Sequence, residues 1–262
     1  MQKTIGGLSV FIEGDKKNKA IIFLHGFPYD HTVWQAQVEA LDEAYYCIAY
    51  DIKGLGASSV GDGQFTMESF VDDLETIIQE LDLEKPIVCA HSMGGYIILR
   101  AIERKEELFS AVILCDTSSS SDSDEKKIDR SDAIGRINAY GVRTFSKNFI
   151  TRCYGETYKK HYKEDIKKRV AKSSSFNSIG VKGCILAMIT RTDTTAYLSK
   201  MTIPALLLCG EQDTLSTPEK MQEMASKISK AQYVGIPESG HMSMVENPLE
   251  LNRAIKDFLA TL

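Results

Sequence analysis

Short apolar segments alternate with longer amphipathic ones along most of this chain. Seven segments are dominated by apolar side chains, and they span residues 8–13, 20–24, 45–50, 87–90, 111–115, 204–209 and 232–236. Continuous apolar runs of this length are typical of strands buried on both faces of a parallel sheet. Segment 8–13 alternates only loosely, so we expect it to be an antiparallel strand at the edge of that sheet.

The segments between these runs show helical periodicity. In residues 66–81 the apolar positions recur at helical spacing, and Thr66 is placed to cap the helix. Residues 32–41 and 249–262 are predicted to be helical in the same way, and Thr217 with Pro218 predicts the start of another helix. Because strands and helices alternate, we expect an α/β protein with one mostly parallel sheet and helices on both faces.

The pattern changes between residues 117 and 200. Residues 117–123 contain five serines and predict a polar connection. Beyond them the strand-like runs stop, and the segment is charged and helical, with aromatic residues at Tyr140, Phe145, Phe149, Tyr154, Tyr158, Tyr162 and Phe176. We therefore expect residues 117–200 to form a helical cap inserted into a core made of residues 1–116 and 201–262. The basic run between residues 159 and 172 fits a solvated helix face better than a surface for anionic substrates.

Composition and charge limit the classes of function. The chain has 262 residues, 43% of them hydrophobic, and a net charge of −5, which is compatible with one large α/β domain. The chain offers no strong basic field for nucleic acid, and no apolar run reaches the roughly 18 residues that span a bilayer. The six cysteines include no Cys-x-x-Cys pair, and residues 1–7 show no apolar signal segment. We expect a cytoplasmic protein with no nucleic-acid or membrane partner.

Ser92 stands at the sharpest predicted turn, between the strand at residues 87–90 and the helix that follows. The residues two positions before and after it, Ala90 and Gly94, are small. A strand, a sharp turn and a helix with small flanking residues form a nucleophile elbow, which lifts the serine hydroxyl above the sheet. The next amide, that of Met93, then lies where an oxyanion can be stabilised. A serine that only caps the helix is the alternative interpretation.

A second loop of interest follows the strand at residues 20–24 and contains His25, Gly26 and Phe27. Glycine at a strand end allows close backbone approach, so the Phe27 amide is predicted to be the second oxyanion donor. We interpret His25 as a residue that orients this loop. The glycine loop at residues 51–58 lacks the lysine context of a P-loop and the third glycine of a dinucleotide fingerprint, so neither type of site is predicted there.

Three polar residues, Ser92, Asp213 and His241, follow predicted strands. The carboxyl ends of parallel strands meet at one edge of a sheet, so these side chains can converge although they are distant in sequence. Serine needs an adjacent base at neutral pH, an imidazole has a suitable pKa, and a carboxylate behind it fixes the tautomer. Asp116 also follows a strand and is the alternative acid.

Five motifs, in this order along the chain, resemble those of the α/β-hydrolase superfamily. They are His25-Gly26-Phe27-Pro28, Asp51-x-Lys53-Gly54-x-Gly56-x-Ser58, His91-Ser92-Met93-Gly94-Gly95, Gly210-x-x-Asp213 and Gly240-His241. The resemblance implies an eight-stranded, mostly parallel sheet with an inserted helical cap. It also implies the site residues: Ser92 as nucleophile, His241 as base, Asp213 as acid, and Phe27 and Met93 as oxyanion donors. Ala90 departs from the glycine that the family usually has.

Within the superfamily, Ser-Met-Gly-Gly and Arg191-x-Asp193 are similar to the capped esterase, enol-lactonase and cofactor-free haloperoxidase branch. The implied activity is hydrolysis of a small carboxylic ester or lactone through an acyl-enzyme, with no metal or organic cofactor. Carbon–carbon bond hydrolysis or perhydrolysis at the same residues is one alternative. A sensor that binds a small signal molecule and a protein partner is another, because a fold alone does not decide function.

Overall fold

Eight strands form one continuous sheet in the computed structural model, which describes all 262 residues. The strands are β1 (Gln2–Ile5), β2 (Leu8–Glu13), β3 (Ala20–Leu24), β4 (Tyr46–Tyr50), β5 (Ile87–His91), β6 (Ala111–Cys115), β7 (Ala205–Gly210) and β8 (Ala231–Ile236). Their order across the sheet is β1-β2-β4-β3-β5-β6-β7-β8. The pairs β1–β2 and β2–β4 are antiparallel, and all the others are parallel. The predicted α/β architecture is confirmed.

The edge of the sheet differs from the prediction. The prediction that residues 8–13 form an edge strand is wrong, because these residues form β2, which lies between β1 and β4. β1 and β2 form a hairpin across Gly6 and Gly7, whose φ values of 56° and 82° suit a tight two-residue turn. The hydrophobic pattern does not reveal β1 because only Ile5 of its four residues is buried.

The chain forms eleven α-helices. They are α1 (Gln35–Leu41), α2 (Met67–Glu80), α3 (Met93–Lys105), α4 (Asp124–Cys153), α5 (Glu156–His161), α6 (Lys163–Ser174), α7 (Ser178–Ile189), α8 (Thr195–Leu198), α9 (Pro218–Ser226), α10 (Ser243–Glu246) and α11 (Pro248–Leu259). Thr66 caps α2 as expected, since its side chain accepts from the Ser69 amide. The helix predicted at residues 32–41 is divided, with a 3₁₀ turn at His31–Trp34 before α1.

Alternate residues of the central strands pack into two apolar layers, one on each face of the sheet. In β3, Ile22 and Leu24 pack with residues of α2 and α3, whereas Ile21 and Phe23 pack with residues of α1 and α11. Because both faces are covered, the strands are apolar throughout, and only the loops at their ends can carry polar chemistry.

Helices α4 to α8 all lie between β6 and β7 in the sequence. The long helix α4 bends at Gly141, where φ is 77° and ψ is 165°, and its two halves pack against α6 and α7. The bend needs a glycine, because other residues rarely adopt this φ. None of the helices combines the length and the apolar character required to cross a bilayer.

Candidate active site

The turn between β5 and α3 consists of Ser92 alone. Its φ of 48° and ψ of −114° are unusual for a residue with a side chain, and such a conformation costs about 1–3 kcal/mol. The Ser92 N–H donates to the Cys115 carbonyl at 3.0 Å, and the Thr117 hydroxyl donates to the Ser92 carbonyl at 2.7 Å. Two hydrogen bonds to the end of the neighbouring strand therefore hold the strained turn in place.

Two glycines let the surrounding backbone close around this turn. A Cβ on Gly26 would lie 2.9 Å from the Ser92 Cβ and 2.4 Å from the His91 Nδ1. A Cβ on Gly94 would lie 2.8 Å from the carbonyl oxygen of His25. Both positions are thus limited to glycine, and the loop after β3 lies directly against Ser92.

The departure from the family pattern at Ala90 leaves the strand intact. Ala90 is fully buried, and β5 keeps its pairing with Leu24 of β3 and Leu114 of β6 at this position. Because the alanine methyl group is accommodated within the sheet, the turn at Ser92 still forms.

The side chains of Ser92, His241 and Asp213 form a continuous chain of hydrogen bonds. His241 Nε2 lies 3.0 Å from Ser92 Oγ, and His241 Nδ1 lies 2.8 Å from Asp213 Oδ2. The other carboxylate oxygen, Asp213 Oδ1, accepts from the amides of Leu215 and Ser216 at 2.7 and 3.1 Å. With the imidazole Nδ1–H donating to Asp213, Nε2 of the neutral ring is free to accept the serine proton.

The electrostatic surroundings of His241 favour its protonated form. Burial lowers its pKa, but the charge of Asp213 and the hydrogen bond to it outweigh burial, so the pKa of His241 is raised above its ordinary value. The ring centroid of His91 lies 4.8 Å from that of His241, but at His91 burial outweighs the contacts that favour protonation. Its complete burial holds the pKa of His91 well below the usual range, so this second imidazole stays neutral.

The backbone around His241 is fixed by residues that the sequence analysis did not identify as part of the site. The His241 amide donates to the Cys153 carbonyl at 2.8 Å, and the His91 ring donates from Nε2 to the His241 carbonyl at 2.8 Å. The Glu246 carboxylate accepts from the amides of Gly155, Gly240 and Met242. No sequence signal marks Glu246, because its role depends on three amides that meet only in the folded chain.

Two backbone amides next to Ser92 are available to an oxyanion. The Phe27 N–H donates no hydrogen bond within the protein, and Met93 is the first residue of α3, where helices leave their amides free. His25 orients the loop that carries Phe27. Its Nε2 accepts from the Ile52 amide at 2.9 Å, so the proton lies on Nδ1, which donates to the Gly26 carbonyl at 2.8 Å.

A second carboxyl group lies beneath the site. Asp116 is fully buried at the end of β6, where its Oδ1 accepts from the Gly210 amide at 2.8 Å and its Oδ2 is bonded to the Ser243 hydroxyl. Asp116 and Asp213 each place a carboxylate oxygen within 4.8 Å of the other, but only Asp213 contacts His241. Burial, and then the charge of Asp213, raises the pKa of Asp116 to about 8.

The chain is similar in sequence and in structure to known hydrolases and to a chloroperoxidase. The sequence pattern of the alpha/beta hydrolase fold matches residues 19–248. The chain is 25% identical to 3-oxoadipate enol-lactonase 1 of Acinetobacter baylyi over 257 residues, which cover 97% of this chain and 94% of that protein. It is 36% identical to the non-heme chloroperoxidase CPO-A1 of Kitasatospora aureofaciens over 115 residues, or 42% of each chain. A malate-bound thermophilic esterase from Thermogutta terrifontis superimposes with a TM-score of 0.94 at 31% identity, covering 100% of this chain and 98% of that chain.

The raised pKa of Asp116 predicts a specific dependence of stability on pH. The folded protein keeps the Asp116 proton up to about pH 8, whereas the unfolded chain releases it near the ordinary aspartate pKa. This contribution to stability is therefore complete at low pH and is lost as pH rises through about 8, with a slope of at most about 1.4 kcal/mol per pH unit. Asp116→Asn keeps a neutral side chain at every pH, so the variant should lose less stability than the wild type between pH 5 and 8.

Urea unfolding at several pH values measures this difference. The matched control is Asp257→Asn, because Asp257 is exposed and forms no ion pair. The control should follow the wild-type curve. Parallel curves for wild type and Asp116→Asn across the whole range would contradict a neutral Asp116 in the folded protein.

Proposed function

This chain belongs to the α/β-hydrolase fold family, and we propose that it is a serine hydrolase that cleaves small carboxylic esters or lactones through an acyl-enzyme. The observation that carries the proposal is the hydrogen-bonded chain from Ser92 through His241 to Asp213, with links of 3.0 and 2.8 Å. The enol-lactonase and the esterase among the similar proteins support the ester or lactone class.

The first half of the proposed reaction transfers the acyl group to Ser92. The serine oxygen attacks the carbonyl carbon while His241 Nε2 takes the hydroxyl proton. The carbonyl oxygen becomes negatively charged and receives hydrogen bonds from the amides of Phe27 and Met93. The bond to the leaving oxygen then breaks, and the imidazolium returns its proton to that oxygen. Asp213 keeps the ring oriented and stabilises its charge throughout.

The second half releases the acid. A water molecule attacks the acyl carbon, and His241 Nε2 accepts one of its protons. The bond to Ser92 breaks, and the imidazolium returns the proton to the serine oxygen. In a lactone the leaving oxygen remains attached to the acyl chain, so one hydroxy acid leaves instead of an acid and an alcohol.

We also propose that residues 117–200 act as a cap over this site. Phe145 and Phe149 pack on the ring of Phe27, with centroid distances of 5.8 and 5.7 Å. Cys153, the last residue of α4, accepts from the His241 amide. The inserted helices thus contact the residues proposed for both the oxyanion site and the base, and an enclosed site excludes bulk water during the reaction.

Perhydrolysis is the second candidate, and the similarity to a chloroperoxidase favours it. The same acyl-enzyme could react with hydrogen peroxide in place of water and release a peroxy acid. The two activities share Ser92, His241 and Asp213, so they differ only in the nucleophile that reaches the acyl carbon.

Substitution of the three proposed catalytic residues tests the mechanism. Ser92→Ala should lower kcat for an aryl acetate by about 10⁴-fold or more, and Asp213→Asn by about 10⁴-fold, because the ring then has the wrong tautomer. Asp116→Asn is the matched control for the acid and should retain most activity. Because the pKa of His241 is raised, kcat/KM should fall with acidification at a pH above the ordinary imidazole value of about 6.5.

Circular dichroism of each variant separates loss of catalysis from loss of fold. Wild-type turnover by folded Ser92→Ala would remove the serine from its proposed role. An inactive Asp116→Asn together with an active Asp213→Asn would reassign the acid to Asp116.

The proposed cap predicts a preference for short acyl groups. Aryl esters from acetyl to butyryl should be cleaved much faster than the octanoyl ester, because the inserted aromatic residues enclose the site. Phe149→Ala should shift the profile of kcat/KM towards longer chains, since it removes a ring that packs on Phe27. Tyr162→Ala is the control, because Tyr162 belongs to the same inserted segment but is 55% exposed.

Faster cleavage of the octanoyl ester by the wild type would indicate a lipase-like site. An unchanged profile in Phe149→Ala would show that the cap does not set acyl length.

A further inference from the structure

A cavity of about 260 Å³ lies between the two halves of α4, above the ring of Phe27. We refer to it as the α4 cavity. Its apolar wall is formed by Phe27, Phe145, Phe149, Ala133 and Ile185. The bend at Gly141 turns the second half of α4 back towards Phe27, so that residues on both sides of the bend line the same space.

The α4 cavity adjoins the proposed catalytic residues through a single loop. Phe27 faces the cavity with its ring, and its amide is a proposed oxyanion donor. The preceding residue, Gly26, approaches Ser92 so closely that a Cβ there would lie 2.9 Å from the serine Cβ. Neither Ser92 nor His241 lines the cavity, so a substrate held at Ser92 would reach it past Phe27.

The rim of the α4 cavity is strongly cationic although the chain as a whole is acidic. Four cationic side chains line it, those of Lys126, Arg130, Arg136 and Arg152, against the single carboxylate of Asp129. The net charge of the whole chain is −5. A concave site with one sign of charge concentrates ligands of the opposite sign.

Three of these four cationic side chains have no ion-pair partner within the protein. Lys126, Arg136 and Arg152 form no ion pair. Arg130 is paired with Asp122, but this buried carboxylate also serves Arg191, so that two guanidinium groups share one anion. Partial burial and the nearby Arg130 lower the pKa of Lys126, and they outweigh the opposing charges of Asp122 and Asp129.

We propose that the α4 cavity binds a carboxylate of the substrate, so that the enzyme prefers esters or lactones that carry a second, anionic end. The inference rests on the hydrolase function proposed above. Arg136 and Arg152 supply guanidinium groups, which bind carboxylates in a planar, two-bond geometry. The three phenylalanine rings contact the carbon skeleton between that carboxylate and the reacting carbonyl. The small volume limits the ligand to a compact organic acid.

Matched substrates test the preference for an anion. One pair is 4-acetoxybenzoate and its neutral amide twin, 4-acetoxybenzamide, and it places the charge on the leaving group. The other is monomethyl glutarate and its amide twin, which places the charge on the acyl chain. The wild type should have a higher kcat/KM for the acid in at least one pair. This preference should shrink as ionic strength rises, because exposed charges are screened by salt.

The variant that removes the site is Arg136→Gln/Arg152→Gln. The ratio of kcat/KM for acid over amide should fall about tenfold, the effect of two exposed ion pairs of ordinary strength. The charge-matched control is Arg143→Gln/Lys147→Gln, since these exposed residues lie on the same helix but line a different depression. The control should keep the wild-type ratio. The same ratio in all three proteins for both pairs would overturn the proposal.

A binding measurement keeps this test separate from the proposed reaction. Calorimetric titration with 4-hydroxybenzoate and glutarate, the products released from the charged member of each pair, requires no turnover. The subsite is supported if either acid binds the wild type and the control but not Arg136→Gln/Arg152→Gln. This holds even if none of the four esters is cleaved, because the absence of cleavage would refute only the hydrolase function. The subsite alone would be refuted if the neutral esters were cleaved as fast as the anionic esters and the three proteins bound the two acids equally well.

Discussion

The strained turn at Ser92 is the constraint on which the site depends. A non-glycine residue with φ of 48° is unfavourable, so the turn persists only because its surroundings hold it. The sheet supplies the strand before the turn, and Thr117 fixes its carbonyl from the end of β6. The approach of Gly26 then brings the Phe27 amide beside the serine. Each of these contacts uses the carboxyl ends of neighbouring parallel strands, so the location of the site follows from the architecture of the sheet.

The inserted helices are part of this arrangement. The insertion begins beside Thr117, which holds the serine turn, and α4 ends at Cys153, which holds the histidine loop through the His241 amide. Two carboxyl groups, those of Asp116 and Asp213, lie near the imidazole of His241. Burial raises the pKa of Asp116 and keeps it neutral, and only Asp213 is hydrogen-bonded to the ring. Cationic side chains line the α4 cavity, which Phe27 separates from Ser92 in the lining. The inserted helices thus carry both the backbone contact to the His241 loop and the residues of this cavity.

Much of the fold was predictable from the sequence because buried parallel strands leave continuous apolar runs. The positions of Ser92, Asp213 and His241 could be proposed for the same reason, since polar residues directly after such runs must lie at one edge of the sheet. The edge strand β1 was not predictable, because three of its four residues are exposed and only pairing with β2 defines it. Glu246 and the α4 cavity were also missed. Both depend on groups that meet only after α4 bends and packs, and local sequence patterns do not report such contacts.

The most direct test of the proposed catalytic serine is covalent labelling with an aryl phosphonate, followed by mass spectrometry of the intact protein and of its peptides. The account predicts one adduct per chain, located on Ser92, that forms faster as His241 loses its proton and does not form in Ser92→Ala. An adduct on a different residue, or equal labelling of the wild type and Ser92→Ala, would contradict it.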